Sequence, residues 1–423
     1  MIRAIRLGEG SWRKALLLCA ALWSPPTWAN PPLQLYIALT PAGGVLRPEP
    51  GVYAGPVVID KPIILDGRGE VTIDGGGEGT VVTIAADGVT VRGLHITHSG
   101  GSHDKVDAAI LVAAHDAVVE NNRMDEVLFG VHLRRAEGAV IRGNAISSLD
   151  RDISLRGDGV RLWYSNDNLI EGNRIERVRD LVFSNAADNR IVGNVITGSR
   201  IGMEFVFSPG NEVANNTIDH DVNGISVIYS NEVDIHDNRI WRMRNITGSG
   251  IAVKESYRVR IARNDIAHCA LGLLANSPLQ PENILHIRDN LLTYNDVAMF
   301  FYGEKGGHVI HGNRFDNNFL DVMGSSPATA RGNDWRSNQW DTYQGFDLDR
   351  DGVGDQPHQL YLYADRIWME RSMARFFRGS PALSLIDFVE RLMPFSRPKL
   401  VLSDPAPIVS RDGIMNQEAP NPR

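Results

Sequence analysis

Arg142-Gly143-Asn144-Ala145-Ile146, Gly172-Asn173-Arg174-Ile175, Gly193-Asn194-Val195-Ile196 and Asn215-Asn216-Thr217-Ile218 are variations on one phrase, and that phrase decides the fold. It begins at Glu120-Asn121-Asn122-Arg123-Met124. It continues through Asp237-Asn238-Arg239-Ile240, Arg263-Asn264-Asp265-Ile266, Asp289-Asn290-Leu291-Leu292 and Gly312-Asn313-Arg314-Phe315, and ends at Gly332-Asn333-Asp334-Trp335. The asparagines are separated by 22, 29, 21, 22, 22, 26, 26, 23 and 20 residues. A fixed period in this range is the signature of a solenoid. Each unit reads apolar-x-Gly/Asp-Asn-x-apolar, a short loop, then Gly-apolar-x-apolar. These are strands of three to five residues with alternating faces, split by Gly/Asn turns and too short and too β-branched for paired helices. A unit of about 22 residues closes one coil whose strands pair with their counterparts ~4.8 Å away. The reading is all-β: a right-handed parallel β-helix of ten or more rungs, with ten coils making a rod about 50 Å long. Asparagine at a fixed turn stacks into a hydrogen-bonded ladder, so these residues are structural and none is a catalytic candidate.

Working outward, Val57-Ile59, Ile63-Leu65 and Val71-Ile73 read as earlier strands, and Val89-Ile96 as a rung lacking its asparagine, with the helix starting near residue 33. After Trp335 the period changes. Asp365 can cap a helix bearing Ile367, Trp368 and Phe376, and Ser380-Pro381 can open another with Leu383, Ile386, Val389 and Leu392 at helical spacing. The division is residues 1–29, 30–340 for the β-helix, 341–360 for an Asp-rich loop, 361–398 for a helical segment, and 399–423 for a Pro-rich tail.

The first 29 residues read as a secretory signal. Arg3, Arg6, Arg13 and Lys14 precede an apolar run from Ala15 to Trp23, and Thr27-Trp28-Ala29 offers a small-residue site with cleavage after Ala29. The run is too short to span ~30 Å of hydrocarbon. Of the 2 cysteines, Cys19 leaves with the signal, so Cys269 has no partner for an internal disulfide in an oxidising compartment. A net charge of −8 excludes nucleic acid as a natural partner.

In a solenoid the departures from the repeat carry the chemistry. Aligning the Gly-apolar-x-apolar strands gives outward columns His132, Arg161, Val182, Glu204; Arg134, Trp163, Ser184, Val206; and Arg135, Tyr164, Asn185, Phe207, Tyr229. The candidate binding surface is therefore His132, Arg161 and Glu204 beside the aromatics Trp163, Tyr164, Phe207 and Tyr229. His95, His98, His308 and His311 have i,i+3 spacings that could hold copper only if a turn intervenes, since three residues along a strand face opposite ways. Most other histidines read as surface. Met203, Met243, Met299 and Met323 are soft donors suited to Cu(I), but by period they read as core. Asp347, Asp349, Asp351, Gly352 and Asp355 match the first nine positions of a calcium loop, with His358 where the bidentate glutamate belongs. The candidate cofactors are thus copper, held transiently, and calcium. Polysaccharide lyases, hydrolases and epimerases use this fold with clustered carboxylates. Here Glu204 has no carboxylate partner one rung away in its column, and His311-Gly312 falls in the repeat's own turn.

Gly51-Val-Tyr-Ala-Gly-Pro-Val-Val-Ile-Asp-Lys-Pro62, Gly157-Asp-Gly-Val-Arg-Leu-Trp-Tyr-Ser165, Gly312-Asn-Arg-Phe315 and above all Asn338-Gln-Trp-Asp-Thr-Tyr-Gln-Gly-Phe-Asp-Leu-Asp-Arg-Asp-Gly-Val-Gly-Asp355 resemble the NosD family. The resemblance covers nearly the whole mature chain. It implies a non-catalytic periplasmic accessory protein of nitrous oxide reductase maturation. Its implied partners are an ABC-type ATPase and permease, the reductase and a copper chaperone. On that resemblance Ile367, Trp368, Phe376, Leu383, Ile386 and Val389 look like the part that docks on the permease. Where such chains often carry His-Tyr-Met-Tyr, this one has Glu204-Phe205-Val206-Phe207, so the soft ligands are missing there. A carbohydrate-active or carbohydrate-binding β-helix using the aromatic face stays open as the alternative.

Overall fold

Three parallel stacks of short strands follow directly from the repeat. The computed structural model describes residues 30–276, 278, 280, 283–362, 381, 385, 388, 389 and 399–409. In each rung a three-residue strand such as Val140–Arg142 lies on the first face and one such as Arg174–Glu176 on the second. A longer strand such as Ile201–Val206 lies on the third. All pair in parallel with the rungs above and below, and among the described residues the third face alone holds 12 strands. This is a parallel β-helix.

The middle residue of each short strand points inward. On the first face Ile141, Ile170, Ile191, Val213, Ile235, Ile261, Ile287 and Ile310 stand in register one rung apart. All are buried. Burying a side chain of this size stabilises by about 1.5–3 kcal/mol, and each rung draws that energy from its two neighbours. Met203, Met243, Met299 and Met323 are buried in this core, as their period implied.

Between the first and second faces the chain turns through one residue of positive φ, held by Gly143, Gly172, Gly193 and Gly312 but also by Asn215, Asp237, Arg263 and Asp289. The asparagine comes next. Asn144 donates from both its backbone N and its Nδ2 to Asn173 Oδ1, at 3.0 Å each, and its Nδ2 also donates to Val119 O at 2.9 Å. The pattern repeats rung after rung from Asn122 to Asn313. The last member is Asn338, not Asn333 as the spacing predicted: Asn313 donates to Asn338 Oδ1. The five-residue helix Pro327–Arg331 displaces the repeat. Asp334–Arg336 therefore takes the first-face position and Gln339–Trp340 the second. That leaves Asn333 one turn early, where its Oδ1 accepts from Gly307 and His308 backbone N.

Both ends of the rod are covered. At the start, near residue 33 where the β-helix was expected to begin, Leu33–Leu39 is an α-helix that buries Leu33 and Ile37. At the other end, residues 399–409 do not behave as a tail. Lys399–Asp404 pairs antiparallel with His358–Leu362, and Asp404 is fully buried. Its Oδ2 accepts from Asn338 N, Asn338 Nδ2 and Trp340 Nε1, at 3.0, 3.0 and 3.2 Å. A carboxylate thus ends the amide ladder, since the last asparagine has donors left over and no further rung to receive them. Residues 1–29 lie outside the described residues.

Candidate functional site

The third face carries the departures from the repeat. Its outward columns run in register: His132 pairs with Arg161, Arg161 with Val182 and Val182 with Glu204. Beside them Trp163, Ser184, Val206 and Ile228 stand one rung apart. At the ends of these strands Tyr164, Phe207 and Tyr229 take positive φ, near +50°. Trp163, Tyr164, Phe207 and Tyr229 are exposed by 38%, 50%, 54% and 48%. Trp163 and Tyr164 meet edge to face at 5.3 Å, whereas Phe207 and Tyr229 stack at 5.2 Å with their planes 8° apart.

His132 corrects the expected surface: it is buried, and its Nε2 has no hydrogen-bond partner. Burial, with the charges of Arg161 and Arg134, brings its imidazole down to about 4. It is neutral at physiological pH and is not an exposed ligand.

An ionic cluster flanks the column and was not singled out from the sequence. Asp158 is fully buried and accepts from Arg161 Nη1 at 3.0 Å and from Arg179 Nη2 at 2.7 Å. Asp180, also buried, accepts from Arg179 Nε at 3.2 Å, from Arg200 Nε at 3.0 Å and from Ile201 N at 3.1 Å. Glu204 is half-buried alongside, and its carboxyl is raised by burial and by Asp180. A carboxylate gripped by two guanidiniums is not free to act as base or nucleophile. The cluster fixes arginines in place; it does not set up a pair of working acids. The signal was present in Asp158-Gly159 and Arg179-Asp180, each just ahead of a third-face strand, but an Asp-Gly turn and an Arg-Asp pair are too common to stand out.

The histidine pairs do not converge. His95 Nε2 meets Asp125 at 2.7 Å, while His98 Nδ1 meets Asp74 at 3.0 Å. His308 is buried, accepting from Leu285 N at its Nδ1 and reaching Asn276 O through Nε2 at 2.9 Å. His311 pairs with Asp334. The reading of the remaining histidines as surface also fails for His358, which is buried against Trp340 with ring centroids 4.7 Å apart.

In the Asp-rich loop, ligand oxygens of Asp347, Asp349 and Asp351 lie within 4.8 Å of one another. Asp355 is outside that set, its Oδ2 accepting from Leu348 N at 2.6 Å. Asp347 also accepts from Asp351 N and Gly352 N, so the turn is held by its own backbone. His358, at the twelfth position, points into the rod's end instead of the loop.

Copper does not fit the described residues. The soft donors Met203, Met243, Met299, Met323 and Cys269 are buried in the core, and burial pushes the Cys269 thiol up to about 12. The converging ligand set among the described residues is the trio of hard oxygens, which suits a hard cation rather than Cu(I). Of the docking candidates, Ile367, Trp368, Phe376, Leu383 and Ile386 lie outside the described residues. Val389 is helical and exposed, as are Leu385 and Phe388. No described helix is long and apolar enough to cross a membrane.

Comparisons with known proteins add to this geometry. The family model described as periplasmic copper-binding protein (NosD) matches residues 143–345. A probable ABC transporter binding protein NosD of Pseudomonas aeruginosa is 28% identical over 434 residues, spanning 94% of this chain and 95% of the relative. One of the same description from Stutzerimonas stutzeri is 25% identical, spanning 88% and 89%. Among solved structures, the catalytic domain of a family 87 α-1,3-glucanase in complex with tetrasaccharides superposes with a TM-score of 0.52 at 12% identity, over 69% of this chain and 65% of that one. That last likeness shows the fold alone. The full-length relatives, the matched repeat region and the parallel β-helix together make this chain similar to the NosD family, whose model is described as a periplasmic copper-binding protein.

Proposed function

We propose that this protein is a non-catalytic periplasmic accessory factor that works with an ABC-type ATPase and permease in assembling the copper sites of nitrous oxide reductase. The observation that carries the reading is the full-length likeness to proteins described as ABC transporter binding proteins, reaching through the Asp-rich loop and the C-terminal end of the rod. The state of the ionic cluster supports the absence of catalysis: Asp158 and Asp180 are each held by guanidiniums. In this reading the chain contacts the proteins that move copper, and its rod organises them rather than ligating the metal in its core.

The experiment is co-purification of the tagged full-length protein with the permease from membranes. It is paired with the copper content and absorption spectrum of the reductase from cells lacking the protein. Retention of the permease and a copper-deficient reductase are expected. A fully metallated, active reductase in the deletion strain would overturn the reading. Titration with Cu(I) against a competing chelator tests the copper statement separately: no site tighter than micromolar is expected in the rod.

A further inference from the structure

The three faces of the rod differ in chemistry. The first two are laced with ion pairs that run from rung to rung: Arg142 with Glu120, Arg190 with Glu212, Arg260 with Asp234 and Arg242 with Asp219. Such ladders keep a flat sheet face wet and unattractive to other proteins. Beyond the Asp158 cluster, no ion pair among the described residues runs along the outward columns of the third face. It presents Trp163, Tyr164, Val206, Phe207, Ile228 and Tyr229 in adjoining positions. At one end stand Arg134 and Arg135, both exposed and, among the described residues, without a carboxylate partner. Lys254 continues the Trp163 column beyond Ile228 at the other end. Five rung spacings separate it from Arg134, about 24 Å.

The aromatics serve neither the core nor the turn. They are exposed, and a φ near +50° costs a bulky residue about 1–2 kcal/mol relative to glycine. Arg135, Asn185 and Glu255 adopt the same φ at this turn in other rungs, so the exposed aromatic side chains, not the backbone, set these positions apart. Their geometry also selects the kind of ligand. A sugar ring needs an open aromatic face to lie on. Phe207 and Tyr229 cover one another's inner faces and offer largely edges and one outer face. Exposed Trp, Tyr and Phe next to unpaired arginines is instead the composition of protein–protein hot spots.

We propose that the third face from Arg134 to Lys254 is the docking surface for a folded acidic protein. Its contact patch is apolar at the centre and carries carboxylates facing Arg134 and Arg135. The argument for an acidic partner is charge complementarity: in a chain of net charge −8, the Arg134–Arg135 end of this face is cationic and has no carboxylate partner among the described residues, whereas Glu255 balances Lys254 at the other end. This goes beyond association with a transporter and does not depend on it.

The test places a photo-crosslinking phenylalanine analogue at Tyr229 of the full-length protein in its own cells, with Val195, exposed on the second face, as the control position. The protein captured at Tyr229 is purified and titrated against wild type, the Phe207→Ala/Tyr229→Ala pair and the Arg134→Glu/Arg135→Glu pair. All variants are first checked for an unchanged thermal transition. Expected results are capture at Tyr229 but not Val195, an acidic captured protein, and binding weakened at least about tenfold by the aromatic pair. Charge reversal should slow association and flatten its dependence on salt. Because Arg134 and Arg135 lie outside the aromatic stack, the second variant keeps the test valid if the first folds poorly. Equal capture at Val195, binding unchanged by both variants, or a third-face variant that loses affinity for a polyuronate instead of a protein would overturn the proposal. So would a parallel loss of permease co-purification, since the face would then belong to the transporter. Failure of the transporter reading shows as absent permease with capture at Tyr229 intact.

Discussion

Asp221 shows how much one atom changes in a ladder. Its Oδ1 accepts from Ser199 N as Asn295 Oδ1 accepts from Cys269 N at the matching turn. Where Asn295 has a donor, Nδ2, giving to Ile266 O, Asp221 has a second oxygen without a hydrogen-bond partner. Burial pushes its carboxyl up to about 8. The folded protein therefore holds a proton here that the unfolded chain releases near pH 4, and stability from this group falls as pH rises from about 4 through 8. Asp221→Asn should match wild type near pH 4 and gain on it steadily up to pH 8, with no further gain above; thermal melts across this range decide it. Burial also raises the carboxyl of Asp158, but there the guanidiniums of Arg179 and Arg161 oppose the shift and supply hydrogen bonds that Asp221 lacks. Asp158→Ala should cost about 3–5 kcal/mol in urea unfolding by stranding those guanidiniums. Arg190→Ala, breaking the exposed pair with Glu212, should leave the urea midpoint nearly unchanged.

The amide ladder is where sequence and structure speak most directly to each other. Asn122 through Asn313 could be placed from their spacing, because a turn residue that bonds its own copy one rung away must recur at the rung period. Asn333 could not be placed correctly, because the local phrase Gly332-Asn333 imitates the turn and only the helix at Pro327–Arg331 reveals the shift. Asp404 was illegible for a different reason: its partner Asn338 is 66 residues away, and no period connects them. The third-face columns were legible because the Gly-apolar-x-apolar strands align without gaps. The burial of His132 was not, since alternation gives direction and not what covers a side chain. In mid-ladder, Asn238 donates to Asn264 and Val213 and accepts from Asn216. Asn238→Ala should cost about 3 kcal/mol or more, because donors in both neighbouring rungs lose buried partners. The same substitution at the exposed Asn317 should cost clearly less, because no buried partner is stranded and the loss is confined to a positive φ that asparagine tolerates better than alanine.

At the scale of the whole molecule, a solenoid comes apart from its ends, because each rung is held only by its neighbours. Leu33–Leu39 and Lys399–Asp404 are therefore the elements that set its resistance to fraying. Asp404→Ala should leave the far-end rungs intact while exposing Trp340 and Asn338. Limited proteolysis should then nick the last rungs first, and alkylation of buried Cys269 should accelerate before the main thermal transition. Unchanged protection of both would show that the ladder's end does not depend on this carboxylate.

The pairing of His358–Leu362 with Lys399–Asp404 has a mechanical meaning. Leu362 and Lys399 stand side by side, so the two strands meet the end of the rod at one place. A load applied to this pair is shared by two hydrogen-bonded strands and passes through Asp404 to the end of the asparagine ladder, not to a single strand. The rod thereby becomes a rigid arm. Whatever grips this end orients the aromatic face as well, and holds it at a fixed standoff several rungs away.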